Sequence, residues 1–186
     1  MRELPASGLS RIRFSACIPG ADRIHYVTAD DVRVVLGRMP VELWQRLRAV
    51  HFNDRSRGGR ILGYVNRGRR EIALCALPPR IRFFACRMHP ERFGARRGPA
   101  WPMLAVRRYM LYDVFLHELG HLQIVDENRR SERLRFAHEK LAQDFAVEWR
   151  KRLWSVPFAH PDPVHNPPGA EEPAELSSEE SMIVIS

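Results

Sequence analysis

The chain has 186 residues, 45% of them hydrophobic, which suits one domain with a buried core and is too short to suggest two. Its formal net charge of +8 is uneven, because residues 155–186 carry six acidic side chains and no lysine or arginine. The first 154 residues hold 30 basic and 16 acidic side chains, a net +14. This balance permits a nucleic-acid partner, but no nucleic-acid-binding motif accompanies the arginines, so a solvated surface is favoured.

The cysteines and the apolar runs indicate the cellular compartment. Cys17, Cys75 and Cys86 show no CxxC spacing, which argues against a disulfide framework and against a thiolate zinc cluster. The first twenty residues lack an apolar run of signal-peptide length, and no segment approaches the roughly eighteen apolar residues of a membrane span. We therefore expect a cytoplasmic protein with no membrane segment.

The amino-terminal half predicts two helices and a small sheet. The stretch "SRIRFSACIP" indicates a strand, with "RIHYV" as a second candidate. Thr28 and Asp31 form a capping-box-like start for a helix in "TADDVRVVLGRMP", and Pro40 suits the first turn of another in "PVELWQRLRAV". The runs "AVHFND", "RILGYVN" and "REIALCAL", separated by glycine-rich breaks, predict a mostly antiparallel meander of about three strands. Residues 78–101 contain several prolines and glycines and predict a long loop.

The carboxyl-terminal half predicts two long helices. A wide apolar face after Pro102 predicts a largely buried helix that contains "HELGH". A second helix, from about Arg130 to Trp154, carries an apolar stripe of Leu134, Leu141, Phe145, Trp149 and Leu153. Residues 155–186 are rich in proline and acid and predict a mobile tail, which leaves residues 1–154 as the domain.

The letters "HELGH", residues 117–121, form an HExxH pattern. Residues four apart on a helix lie one above the other, so His117 and His121 can present imidazole nitrogens to a single metal ion. Glu118 is rotated aside, where its carboxylate can activate a water without binding the metal. Three titratable side chains on an apolar helix would be costly to bury unless a shared cation offset their desolvation. The pattern therefore predicts a zinc site with Glu118 as general base.

Catalytic zinc usually has three protein ligands, so one more residue is needed. Glu139 lies eighteen residues after His121 and shares a helix face with Ala142 and Ala146, whose small side chains allow close approach to the HELGH helix. Glu127 and His138 are the alternatives, and both are less favoured: Glu127 lacks the glycine turn of the short-spaced motif, and His138 is expected on a different face from the alanines.

Together, HELGH and the downstream Glu139, Ala142, Phe145 and Ala146 resemble the gluzincin branch of zinc metallopeptidases, particularly the compact bacterial ImmA/IrrE-like minigluzincins. The resemblance covers about residues 103–154. It implies an α+β zincin-like fold in which amino-terminal helices and a small sheet precede the HExxH helix and a packed glutamate helix. It also implies that His117, His121 and Glu139 bind Zn²⁺.

The chain departs from this family at one position. Family members commonly have an acid four residues after the ligand glutamate, where this chain has Gln143. A glutamine can accept a hydrogen bond from a ligand imidazole but raises its basicity less than a carboxylate does. His89, Tyr109 and Tyr112 are undistinguished candidates for stabilising an oxyanion. By analogy of fold, "REIALCAL" is the candidate edge strand for binding substrate.

These patterns predict a zinc-dependent hydrolase, most simply a metallopeptidase that cuts a protein or peptide substrate. Two other functions stay open. One is a zinc-binding regulatory or interaction module with a peptidase-like fold and no catalysis, for which Gln143 is the sequence support. The other is a nucleic-acid-associated protein that uses the arginines between Arg55 and Arg97. An acidic tail that restrains access to a basic cleft is a further hypothesis.

Overall fold

A computed structural model describes residues 8–57, 60–78, 89–96, 101–124 and 132–169. The elements follow in the order β1 (Arg13–Ala16), α1 (Ala29–Gly37), β2 (Ala49–Asn53), β3 (Gly63–Asn66), β4 (Glu71–Cys75), α2 (Met103–Tyr109), α3 (Leu116–His121) and α4 (Glu132–Ser155). A π-helical segment, Met110–Phe115, joins α2 to α3 with helical backbone at both junctions. We call the continuous helix from Met103 to His121 the HELGH helix. The expected α+β class is confirmed.

The four strands form one mixed sheet in the order β1-β2-β4-β3. β1 pairs with β2 and β2 with β4 in parallel, and only β3 and β4 are antiparallel. The predicted mostly antiparallel meander is therefore wrong. Helix α1 lies between β1 and β2 in the chain, and such a crossover brings the next strand back parallel. β3 follows β2 in the chain but does not pair with it, because β4 lies between them in the sheet. Only β3 and β4, which are joined by a hairpin, are antiparallel.

This strand order decides which strand lies at the edge. The run "REIALCAL" contains β4, which is paired on both sides and is interior, so its nomination as the edge strand is wrong. Residues 72–75 of β4 are all buried, as expected for a strand covered on both faces. The two edge strands of the described sheet are β1 and β3. Of these, β3 pairs with β4 and lies beside the HELGH helix, and we refer to it below as the edge strand.

One of the two predicted amino-terminal helices is present in the structure. Thr28 and Asp31 form the expected capping box, in which each side chain accepts a hydrogen bond from the other's backbone N–H. The second helix, predicted from Pro40, is wrong: the structure has a single 3₁₀ turn there, Val41–Leu43. The Arg48 N–H donates to the Arg70 carbonyl, which draws this segment towards the sheet. The second strand candidate, "RIHYV", makes only an isolated bridge between Ile24 and Leu77.

Helix α4 is confirmed, but its buried face differs from the predicted stripe. The face that packs inward consists of His138, Ala142, Ala146, Arg150 and Leu153. From the predicted stripe, Leu141 is 55% exposed. Small side chains allow the backbones of α3 and α4 to come close, and this contact outweighs the burial of Leu141.

The chain after α4 continues to pack against the domain. Pro163–His165 forms a 3₁₀ turn in which Val164 and His165 are buried, and Asp162 makes an ion pair with Arg107 of α2. Residues beyond 154 therefore contact the folded part of the chain, while the division of the chain at residue 154 stays a prediction. Residues 170–186 lie outside the described ranges, so the acidic tail stays a prediction there.

Most of the predicted loop at residues 78–101 also lies outside the described ranges. Within it, Pro90–Phe93 forms a 3₁₀ turn whose Phe93 side chain is buried. No helix in the described part of the chain is both long and apolar enough to cross a bilayer.

Candidate metal centre

Three of the predicted site residues meet between α3 and α4. The Nε2 atoms of His117 and His121 are 3.1 Å apart. The carboxylate of Glu139 reaches both rings, with Oε2 3.3 Å from His117 Nε2 and Oε1 3.5 Å from His121 Nε2. These residues form a cluster whose ligand atoms all lie within 4.8 Å of one another. The sequence prediction that these three side chains converge is confirmed.

The spacing of these atoms fits a bound metal ion. For tetrahedral zinc held at about 2.0–2.1 Å, neighbouring ligand atoms are separated by about 3.3–3.4 Å. The three measured separations, 3.1, 3.3 and 3.5 Å, lie on either side of that value. Two imidazole nitrogens facing each other would also repel unless one carried a proton or both bound a cation. The cluster is therefore a candidate site for a divalent metal.

A chain of polar contacts orients the first histidine. Gln143 Nε2 donates to Asp113 Oδ1 at 3.3 Å, so its amide oxygen faces His117 and accepts from Nδ1 at 3.2 Å. A proton on Nδ1 leaves the lone pair of His117 on Nε2, directed towards Glu139 and His121. Gln143 thus hydrogen-bonds to the ring of His117, as the sequence suggested, and Asp113 in turn accepts a hydrogen bond from Gln143.

The far end of this chain is a buried ion pair. Arg150 Nη1 donates to Asp113 Oδ1 at 2.7 Å, and both side chains are largely buried. Burial raises the pKa of Asp113, an effect that the nearby Arg150 and Gln143 partly oppose. Burial likewise lowers the pKa of Arg150, with Asp113 acting in the opposite direction. Each ion thus offsets the desolvation of the other and holds Gln143 in place.

Close helix packing places Glu139 beside the histidines. A Cβ added at Gly120 would lie 3.0 Å from both the Cα and the carbonyl oxygen of Ala142, and 3.2 Å from Phe145 Cβ. Ala142 and Ala146 are completely buried at this contact. Gly120 therefore makes room for α4. The small residues that flank Glu139 also have their predicted role.

Glu118 points into the site from the same helix turn. Glu118 is only 8% exposed. Burial raises the pKa of its carboxyl most, and the negative charge of Glu139 raises it further, to about 8. The edge strand lies against it, since a Cβ at Gly63 would be 2.9 Å from Val114 Cγ1 and 3.4 Å from Glu118 Cγ. The carboxylate therefore lies between the candidate metal ligands and β3.

His121 is held in the form that binds metals. Burial lowers its pKa most, the charges of His117, Arg67 and His138 lower it further, and Glu139 opposes them, for a value of about 4. The imidazole is consequently neutral near pH 7, with a lone pair available for a cation.

The cluster opens into a groove. A central cavity of about 420 Å³ is lined by His117, Glu118, His121 and Glu139 together with residues of β3. A cavity of about 750 Å³ adjoins it at His121, and another of about 680 Å³ adjoins it at Glu118. The three share lining residues, so they follow one another along the exposed edge of β3.

The structure shows which of the remaining candidate residues lie near the groove. Tyr112 is fully buried, with its hydroxyl 3.2 Å from His165 Nδ1, and it lines none of the three cavities. His89 is exposed and contacts Glu91. Tyr109 does line the 680 Å³ cavity. Glu127, the alternative ligand, lies outside the described residues.

His138 needs a correction. It lies on the same buried face as the alanines and lines the central cavity, but it is not part of the metal-ligand cluster.

Sequence reasoning missed Asp113 and Arg150. A usable signal was present for Asp113, because it stands four residues before His117 and therefore on the same helix face. Arg150 offered no such signal, since a lone arginine near the end of a charged helix ordinarily faces solvent.

No family model, curated protein or solved structure matches this chain.

Proposed function

We propose that this protein is a zinc-dependent hydrolase, and specifically a metallopeptidase of gluzincin type. The observation that carries the proposal is the convergence of His117, His121 and Glu139 at metal-ligand spacing, with the buried carboxylate of Glu118 beside them. A site for a metal alone would not need Glu118. A buried carboxylate next to a candidate metal and an open groove is the arrangement expected of a general base.

The donor set favours zinc among divalent metals. Two imidazoles and one carboxylate are typical ligands of catalytic zinc, which leaves a fourth position open. When bound, Zn²⁺ supplies Lewis acidity, which acidifies water and polarises a carbonyl group. Gln143 favours the His117 tautomer whose Nε2 lone pair would be available to hold the ion.

The proton steps are assigned to Glu118. Its carboxylate accepts a proton from the attacking water as the oxygen forms a bond to the carbonyl carbon of the substrate. It then donates that proton to the leaving amine as the carbon–nitrogen bond breaks. Beside a bound dication the carboxylate form is favoured, which brings the pKa of Glu118 below its value in the metal-free protein.

The edge strand gives a place for an extended substrate. The outer side of β3 has unpaired backbone groups within the described part of the chain, and Gly63 lies beside Glu118. A peptide that pairs with β3 would cross the site as an added strand, with its scissile carbonyl near the candidate metal. Peptide hydrolysis is therefore favoured over the hydrolysis of a small, compact substrate.

Metal analysis of the purified protein tests the site. We expect about one zinc per chain, and His117→Ala and Glu139→Ala should each lose it. His89→Ala is the matched control, because His89 is exposed and contacts only Glu91 among described side chains. Loss of zinc in His117→Ala but not in Glu139→Ala would remove Glu139 from the ligand set.

The Glu118→Gln variant tests catalysis separately. It should keep zinc yet lose peptide cleavage by at least about 10²-fold, since the amide cannot accept the proton of water. Cleavage products from a mixture of unstructured proteins, measured by mass spectrometry, provide the readout. Stoichiometric zinc with no cleavage by the wild-type chain would instead favour the regulatory or interaction module.

A further inference from the structure

The groove along β3 differs in charge between its two ends. The 750 Å³ cavity at one end is lined by Arg46, Arg67 and Arg70, and no aspartate or glutamate is among its described lining residues. Arg67 also lines the central cavity, where Arg135 adds a fourth guanidinium. Neither Arg46 nor Arg70 makes an ion pair with another described residue. This end of the groove therefore carries a concentration of positive charge.

The other end has apolar surface and carries no concentration of positive charge. The 680 Å³ cavity has an apolar part lined by Ile61, Leu62, Tyr109, Val114 and Phe136. Its basic lining residues in the described chain are Arg60 and Lys140, and Lys140 contacts Asp144. Carboxylates outnumber them, since Asp113, Glu118, Glu139 and Asp144 line the same cavity. Phe136 is 75% exposed at the rim. This end therefore offers apolar surface without the positive charge of the other end.

The direction of β3 orders the two ends along a bound peptide. β3 runs from Gly63, beside Glu118, to Asn66, which lines the basic cavity. Antiparallel pairing is the more stable arrangement per residue and the more common. A peptide paired in this way has its amino-terminal part at the arginines and its carboxyl-terminal part at Leu62 and Val114. The basic end thus receives the residues before the scissile bond.

We infer that this groove selects extended peptide segments with aspartate or glutamate on the amino-terminal side of the scissile bond and apolar residues on its carboxyl side. Arg46 and Arg70 are the specificity-determining residues, since guanidinium groups bind carboxylates through paired N–H donors. The inference rests on the proposed function in taking the groove as the substrate site. It adds the chemical class of the substrate, which the metal ligands do not determine.

Peptide binding to zinc-loaded Glu118→Gln protein tests this preference without turnover. The probes are four fluorescent decapeptides. Three have the same apolar carboxyl half and carry three glutamates, three glutamines or three lysines in the amino half. The fourth is the glutamate peptide with its two halves exchanged. Fluorescence anisotropy should give a Kd about tenfold lower for glutamate than for glutamine. The lysine peptide and the exchanged peptide should bind more weakly, and added salt should reduce the glutamate advantage.

Charge reversal supplies the matched control. Arg46→Glu combined with Arg70→Glu should remove the preference for glutamate and favour the lysine peptide. Arg69→Glu should leave it unchanged, because Arg69 belongs to the same turn but lines a different cavity, with Ser15 and His51. Equal binding of all four peptides, or the same loss in Arg69→Glu, would overturn the inference.

Two further outcomes separate the hypotheses. If wild-type protein cuts glutamate and lysine peptides at equal rates and binds them equally, the inference fails while the proposed hydrolysis stands. If binding follows the predicted order but no peptide is cut, acid recognition stands and hydrolysis fails. A duplex DNA that displaces the glutamate peptide at a lower concentration than unlabelled peptide does would make the arginines a nucleic-acid surface and overturn the inference.

Discussion

Gly120→Ala should weaken both the fold and the metal site, because an added methyl group has no room between α3 and α4. The new Cβ would meet the Cα and carbonyl oxygen of Ala142 at 3.0 Å. Both atoms are backbone, so relief requires the helices to separate by about 0.5 Å, given an ordinary carbon contact of 3.5 Å or more. Overpacking of this kind lowers the free energy of unfolding by about 1–3 kcal/mol, and the higher helix propensity of alanine raises it by about 1 kcal/mol. We expect a net loss of up to about 2 kcal/mol.

The same displacement should reach the candidate metal ligands. Glu139 stands one turn before Ala142 on α4, so separating the helices moves its carboxylate away from His117 and His121. Metal sites tolerate about 0.5 Å of such displacement poorly, and a roughly tenfold rise in the Kd for zinc is expected. Competition with a chromophoric chelator measures this Kd, and urea unfolding of the metal-free protein measures stability.

Gly37→Ala is the matched control for this prediction. Gly37 is the last residue of α1, and the nearest atom to an added Cβ is Leu9 Cδ1, at 3.8 Å, an ordinary contact. This variant should keep its zinc affinity and lose no stability. If Gly120→Ala proves as stable as Gly37→Ala and binds zinc as tightly as the wild type, the close contact between α3 and α4 is not what positions Glu139.

Two further predictions concern buried carboxylates. Gln143→Glu should lower the free energy of unfolding by about 1–2 kcal/mol, because a second carboxylate would then face Asp113 where an amide donates now. Adding Asp113→Asn should recover much of that loss in a double-mutant cycle. Additive losses would refute the coupling. Asp31 has a pKa lowered to about 2: burial raises it, but hydrogen bonds from His165 and Thr28 and the charge of Arg107 outweigh that effect. Its contribution of about 2 kcal/mol is therefore present above pH 4 and lost as pH falls towards 2, so urea unfolding should show wild type and Asp31→Asn converging at low pH, whereas a constant difference would contradict the assignment.

Much of the candidate site could be predicted because its signals are local. The spacing of His117 and His121 follows from the helical repeat alone, and the small residues after Glu139 indicate a close helix contact wherever the helices meet. The capping box that begins α1 is equally local. The approximate positions of all four strands followed from alternating apolar runs and the turn residues between them.

Strand order and direction could not be predicted from such local signals. Apolar alternation is the same in parallel and antiparallel strands, so the pattern could not show that β4 lies between β2 and β3. The edge strand was consequently misassigned, and with it the basic cavity at one end of β3 went unnoticed. The predicted helix after Pro40 failed for a related reason, since Trp44 and Leu47 are buried by contacts distant in sequence. The burial of Val164 after α4 also depends on such contacts.

The sequence by itself identified the candidate metal ligands and a candidate base, because both depend on helical spacing and side-chain chemistry. Only the tertiary structure decided how those residues are supported and what reaches them. The Gln143–Asp113–Arg150 chain joins two helices, and the groove lies between the HELGH helix, α4 and the edge strand β3. Contacts between elements follow from packing, which local sequence patterns do not encode.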